Sequence, residues 1–260
     1  MADRSAKRVL IIGWDAADWK VIDPLLAGGK MGNLRRLIDA GVRADLSSLD
    51  PKLSPLLWTS IATGKTPDKH GILNFVEPDT EAGGLRPALS PTRRTKALWN
   101  ILTQSGMSTN VVSWYASHPA EPIRGCIVSN LFQEGLPAAS KAPWPIAAGT
   151  VHPTSKADAI ARARVRPSAV NAAHLRLLVP GLASVPSSDP RLGLLTRQLA
   201  QCASVQAVAD LLLKSDRSWD CTMVFFEAID VVGHHFMQYY PPRMEHVGEA
   251  DFERYRQVMA

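Results

Sequence analysis

A chain of 260 residues, 46% hydrophobic and 20% charged, has the composition of an ordinary globular protein. Its length suits one large α/β domain, or one domain carrying an insertion. The formal charge of +5 is spread along the chain, with a modest concentration at Arg162, Arg164, Arg166 and Arg176; such a balance helps attract phosphate-bearing substrates but is common in ordinary proteins, and no RRM, zinc-finger or helix-turn-helix pattern indicates nucleic acid.

Cys126, Cys202 and Cys221 are odd in number, far apart and without a CxxC pair, so neither a disulfide framework nor a cysteine zinc site is indicated and the thiols read as reduced and mostly buried. The polar stretch from Met1 to Arg8 leads into an apolar run too short for a signal-peptide core or a membrane span, so a cytoplasmic protein is expected. Oligomeric state is not legible.

In chain order, Arg8-Val9-Leu10-Ile11-Ile12-Gly13-Trp14 is a near-continuous, β-branched apolar run that predicts a strand buried on both faces, and Asp15 follows it directly. Met31 to Ala40 predicts a helix, with Leu34, Leu37 and Ile38 at helical spacing and Gly41 as its stop. Val42 to Leu49 reads as the next strand. Pro55 opens a helix closed by Gly64, and Thr95 to Gly106 repeats the pattern. Asn110 to Trp114 and Cys126 to Ser129 read as further strands. This alternation predicts a mainly parallel sheet covered by helices.

From 136 to 215 the texture changes. Pro137 to Pro190 is rich in Ala, Pro and Ser and shows no strand, with helical pieces such as Ala157 to Arg164. It reads as an inserted, largely helical cap, joined to the core by a helix from Leu192 to Leu213. The expected division is a first part of the α/β core over 1–135, the cap over 136–215, and a continuation of the core over 216–260. That continuation holds a strand, Cys221 to Phe226, and a polar terminal helix, Asp251 to Met259.

Ligands of open α/β sheets collect beyond the carboxyl ends of the strands, where the sequence places Asp15 and Asp230. In Asp230-Val231-Val232-Gly233-His234 a carboxylate and an imidazole stand four residues apart, on one face if the segment is helical and within reach of one cation. Singly, each is equally well a helix cap, a turn residue or a hydrogen-bonded core group. Ser54 before Pro55 reads as a helix N-cap. The same geometry suits a nucleophile, because a helix N-terminus stabilises an alkoxide and an incoming phosphate. Spacing does not separate the two, and Thr59 is the next candidate hydroxyl.

Three segments carry a resemblance: Val9 to Asp15; Ser54-Pro55-Leu56-Leu57-Trp58-Thr59-Ser60-Ile61-Ala62-Thr63-Gly64 with Pro67-Asp68-Lys69-His70-Gly71-Ile72; and Asp230 to His234. Together they resemble the type I phosphodiesterase/nucleotide pyrophosphatase family of the alkaline phosphatase superfamily. The resemblance covers most of the chain outside the insertion. It implies a hydrolase with two divalent metal ions, usually zinc, acting on phosphodiesters or nucleotide pyrophosphates through a serine-phosphate intermediate. Asp15 and Ser54 would serve one metal, with Ser54 as the nucleophile, and Asp230 and His234 the other. His70 and Gly71 are expected to shape a turn rather than bind metal.

The departures are specific. Ile229 stands where the family has proline, Ala16 where it more often has glycine, and Phe75 where it has a phosphate-holding asparagine. Asn74, one residue earlier, is the remaining candidate for substrate binding. The later Asp-His-Gly segment and last His of the family have no counterpart before Ala260. The expectation is therefore a front portion of such an enzyme, inactive by itself and weak in zinc. Two alternatives accompany it: a non-catalytic remnant that binds phosphate ligands or partners, and a superfamily member with sulfatase or phosphoglycerate-mutase-like chemistry, although Ser54-Pro55-Leu56-Leu57 does not conform to the sulfatase Cys/Ser-x-Pro-x-Arg setting.

Overall fold

The structure, a computed structural model, describes residues 8–136 and 142–260. Most of the polar N-terminal stretch and the beginning of the expected cap, 137–141, lie outside them. In chain order the elements are β1 (Val9–Trp14), α1 (Trp19–Ala27), α2 (Gly32–Ala40), α3 (Ser54–Thr63), α4 (Pro67–His70), β2 (Val76–Pro78), β3 (Leu85–Pro87), α5 (Leu98–Gln104), β4 (Thr109–Val112) and β5 (Gly125–Val128). There follow β6 (Val151–His152), α6 (Ala157–Ala163), α7 (Ala172–Arg176), α8 (Pro190–Ser215), β7 (Cys221–Phe226), α9 (Ala228–Phe236) and α10 (Glu249–Tyr255).

The five-stranded sheet has the order β1-β7-β4-β5-β6. β4 pairs in parallel with both β5 and β7, and β6 pairs antiparallel with β5. The expected mainly parallel, helix-covered α/β fold is the one found. Side chains alternate across a strand, and here the alternation sorts the core into two faces. Val112, Val128 and Val224 stand in register on one face, where Val205, Val208, Ala209 and Leu212 of α8 and Ile160 of α6 cover them. Val111, Ile127 and Met223 stand in register on the other, packed with Ala62 of α3 and Trp99 of α5.

The chain divides into two compact units. Of the described residues, one takes 8–13, 48–136, 142–164 and 203–226, and the other 14–47, 165–202 and 227–260. Segment 136–215 contributes to both. The second unit has its own core, with Phe236, Tyr255, Val179 and Leu195 all buried.

Three sequence expectations are corrected. β1 is an edge strand: Val9, Leu10 and Ile12 are 46%, 48% and 53% exposed. An apolar run reports what a strand could bury, whereas its position in the sheet decides what it does bury. Val42 to Leu49 forms no strand, and Val42 and Leu46 are exposed. A strand exists only with a partner for its N–H and C=O groups, and this segment is instead tied down by Arg43, which donates to both carboxylate oxygens of Asp23 (2.7 and 2.9 Å) and stacks on Trp19. The segment read as strandless contains β6. The helix expected over Met31 to Ala40 is found as α2, which among the described residues buries no side chain.

A polar knot supports the second unit. Arg191 donates to both oxygens of Asp189, to Asp251 and to the Tyr239 hydroxyl, while the Tyr255 hydroxyl donates to Asp189 at 2.8 Å. Arg191, and then Tyr255, hold the Asp189 carboxyl well below the ordinary carboxylate range. A depressed folded-state value gives stability that is present above the unfolded value, about 3.9, and is lost as pH falls. Arg191→Met should destabilise this unit by roughly 2–4 kcal/mol, because it strands a largely buried carboxylate. Urea unfolding followed from about pH 6 to pH 3 should show an acid-dependent loss that the variant lacks.

Candidate active site

In the first unit, the sequence around Ser54 builds a helix and locks its far end. Pro55 suits the first turn because its missing N–H has no partner there in any helix. The helix starts one residue earlier than expected: Ser54 is its first residue, and the N-cap is Leu53, which makes no side-chain cap bond. This corrects the N-cap reading. Ser54 is half-buried, and its hydroxyl makes no hydrogen bond among the described residues. The alternative hydroxyl, Thr59, is buried.

The Thr-Gly-x-x-Pro-x-x-His-Gly block explains itself as a clamp on α3. Gly64 and Gly71 take the left-handed φ values +63° and +80° that end α3 and α4. Thr63 donates to the Thr59 carbonyl at 2.8 Å, and Pro67 opens α4. His70 is fully buried. Its Nδ1 accepts the Ile72 N–H at 3.1 Å, so Nε2 carries the proton and donates to Ser60 Oγ at 3.0 Å. Ser60 in turn donates to the Leu56 carbonyl. Both imidazole nitrogens are committed, so His70 shapes the turn, as expected.

Gly13 has a different reason. A Cβ there would stand 2.5 Å from the Trp58 ring, so only glycine lets β1 lie against α3. Asn74 is exposed, and its Oδ1 accepts the Phe75 N–H at 2.7 Å. That bond commits the carbonyl to the local turn and leaves the amide NH₂ as the group able to meet a ligand.

The acidic candidates belong to the second unit. Asp15 is 5% exposed and follows β1 directly. Asp230 and His234 both lie on α9, one turn apart, with His234 Nε2 3.5 Å from Asp230 Oδ1. The expectation that they share one helix face is met. His234 is open to solvent, and Asp230 is half-buried. The structure thus brings Asp230 and His234 together; Asp15 lies in the same unit, and Ser54 and Asn74 lie in the other. Among the described residues no group of three or more His, Cys, Asp or Glu side chains forms a metal site.

Ala16, which replaces the more usual glycine after Asp15, has φ +56°. The departure noticed in the sequence therefore falls on a left-handed backbone position. An apolar cavity beside the same residues had no sequence signal, since its wall is assembled from four separate stretches of the chain.

A family model for type I phosphodiesterase / nucleotide pyrophosphatase matches residues 9–251. The chain belongs to this family. Among solved structures, it is similar to phosphonoacetate hydrolase from Sinorhizobium meliloti 1021 in complexes with phosphonoformate and with phosphonoacetate. Each match has a TM-score of 0.51 and 14% identity, and covers 97% of this chain and 51% of the other. At that identity the likeness speaks for the fold. The chain spans about half the length of these structures. No curated protein matches it significantly. No helix among the described residues is long and apolar enough to cross a membrane.

Two stability outcomes follow for this type I phosphodiesterase family member. Ala16→Gly should raise stability by about 0.5–1 kcal/mol, measured by thermal unfolding, because glycine adopts the left-handed backbone without strain. Burial holds the His70 imidazole below its ordinary value of 6.5. The folded state then binds fewer protons than the unfolded one, so this contribution is present above 6.5 and is lost as pH falls below it. His70→Ala should cost roughly 2–4 kcal/mol at neutral pH. It should also flatten much of the decline in melting temperature below about pH 6.5.

Proposed function

We propose that the protein is a metal-dependent phosphoester hydrolase, acting on phosphodiesters or nucleotide pyrophosphates through a serine-phosphate intermediate. The observation that carries this is Ser54. In a member of the type I phosphodiesterase family, it heads a ten-residue helix with a hydroxyl that neither caps that helix nor bonds elsewhere among the described residues. Its own N–H and that of Leu56 belong to the first helical turn, which has no internal acceptors, and they suit an incoming phosphate.

The donors fit a divalent cation in kind. A carboxylate and an imidazole one helical turn apart, Asp230 and His234, are ligands that zinc accepts, and Asp15 offers a second carboxylate. In number they fill only part of a coordination shell, since catalytic zinc usually takes three protein ligands and a water. When bound, such ions would polarise the phosphoryl oxygens and favour the deprotonated nucleophile. The chain's own part is to supply these ligands and to present the Ser54 oxygen. That oxygen forms a bond to phosphorus as the ester P–O bond breaks, and the leaving oxygen takes up a proton. Water then cleaves the serine phosphate, restoring the hydroxyl and releasing the phosphorylated product. Asn74 would contribute its amide NH₂ to a phosphoryl oxygen.

A second reading is favoured by the same short ligand count: a phosphate-ligand binder without turnover. Assay of a chromogenic phosphodiester with excess zinc separates the two. For the enzyme, Ser54→Ala should lower turnover by at least about a thousandfold while largely sparing zinc content, as removal of an activated nucleophile does. Asp230→Asn combined with His234→Ala should lower zinc content itself. Binding of phosphate esters with no turnover, unaffected by Ser54→Ala, is the outcome that selects the binder.

A further inference from the structure

The second unit contains a cavity of about 300 Å³, at the small end of the range for ligand pockets. Val21 and Leu25 of α1, Ile229 and Val232 of α9, and Met31 and Met259 are among the residues that line it. Asp18 is the one ionisable lining residue, and its carboxylate accepts the Lys20 N–H at 2.8 Å as the cap of α1. The wall therefore offers hydrocarbon and thioether with almost no free hydrogen-bonding group.

The position of this cavity ties it to the proposed ligands. Trp14 and Ala16, on either side of Asp15, both line it. On α9, Ile229, Val232 and Gly233 follow an i, i+3, i+4 pattern and face it. Asp230 and His234 occupy the adjoining face, about 100° round the helix. A group held at Asp230 and His234 has this cavity as its apolar neighbour within the same unit.

We propose that the cavity receives the alkyl chain of a phosphoester substrate, an assignment that rests on the hydrolase reading above. Three features select an alkyl chain. The volume excludes a protein helix, whose diameter with side chains is about 10 Å. The wall cannot satisfy the ring nitrogens and exocyclic groups of a nucleobase, and burying those unpaired is unfavourable. Met31, Met237 and Met259 are flexible side chains that adapt to a chain of variable shape.

The test is a titration of the protein with n-alkylphosphonates from ethyl to octyl, and in parallel with the matching n-alkanols and a nucleoside 5′-phosphonate. Affinity should rise roughly three- to fourfold per methylene in both alkyl series. Val21→Phe, which fills the cavity, and Met31→Gln, which makes it polar, should each flatten that rise, with circular dichroism and melting temperature confirming a folded protein. With excess zinc present throughout the titrations, Asp230→Asn should weaken the phosphonates, whose anionic head meets the carboxylate only through a bridging cation, and leave the alkanols unchanged. Affinity independent of chain length, tighter binding of the nucleoside phosphonate than of octylphosphonate, or chain-length dependence unaltered in both folded variants would overturn the proposal. Chain-length dependence with alkanols as tight as phosphonates and Asp230→Asn silent would uphold the alkyl cavity and overturn the phosphoester assignment.

Discussion

The parallel pairing of β4 with both of its neighbours is the constraint from which the first unit follows. Its four residues are all buried, so its N–H and C=O groups have no water to turn to and must pair with β5 and β7. The register places Val111 between Ile127 and Met223, and Val112 between Val128 and Val224. A slip of one residue would exchange the two faces and present each cluster to the wrong helices. With the register fixed, the face bearing Val111 receives Ala62 and Trp99, and α3 is held against the sheet by its buried flank. The Ser54 end of α3 is thus positioned by packing well away from Ser54 itself.

A polar arrangement of the same logic surrounds Glu121. Its carboxylate accepts from Arg93 at 2.5 Å, from Trp99 Nε1 at 2.8 Å and from the Asn100 amide at 3.2 Å. The Arg93 side chain is nearly buried, and a buried guanidinium is tolerable only with such partners. In the second unit, Arg191 has the corresponding place among Asp189, Asp251 and Tyr239. Each unit therefore combines an apolar core with an arginine whose fork of donors ties several segments together.

Scaffold and chemistry divide the family motif between them. Gly64, Pro67, His70 and Gly71 have backbone or buried hydrogen-bonding duties that account for their identities without any substrate. Ser54 heads α3 without bonding among the described residues, while Asp230 in the first turn of α9 and His234 in its last form an ion pair along one face of that helix.

Much of this was legible in the chain itself. The alternation of apolar runs with helical periodicity set the α/β class, because side-chain spacing follows from backbone geometry alone. The i, i+4 spacing from Asp230 to His234 fixed their shared face for the same reason, and the Thr-Gly-x-x-Pro-x-x-His-Gly block announced its turns through residues with restricted backbones. The exposure of β1, the absence of a strand over Val42 to Leu49 and the existence of β6 were not legible. Each depends on which partner lies alongside, and hydrogen-bond pairing between distant segments leaves no mark in local sequence. The apolar cavity is the extreme case, since Val21, Met31, Val232 and Met259 carry no common pattern. Local geometry was determined by the sequence acting over a few residues; neighbourhood was decided only when the chain closed on itself, because burial is a property of contacts made across its whole length.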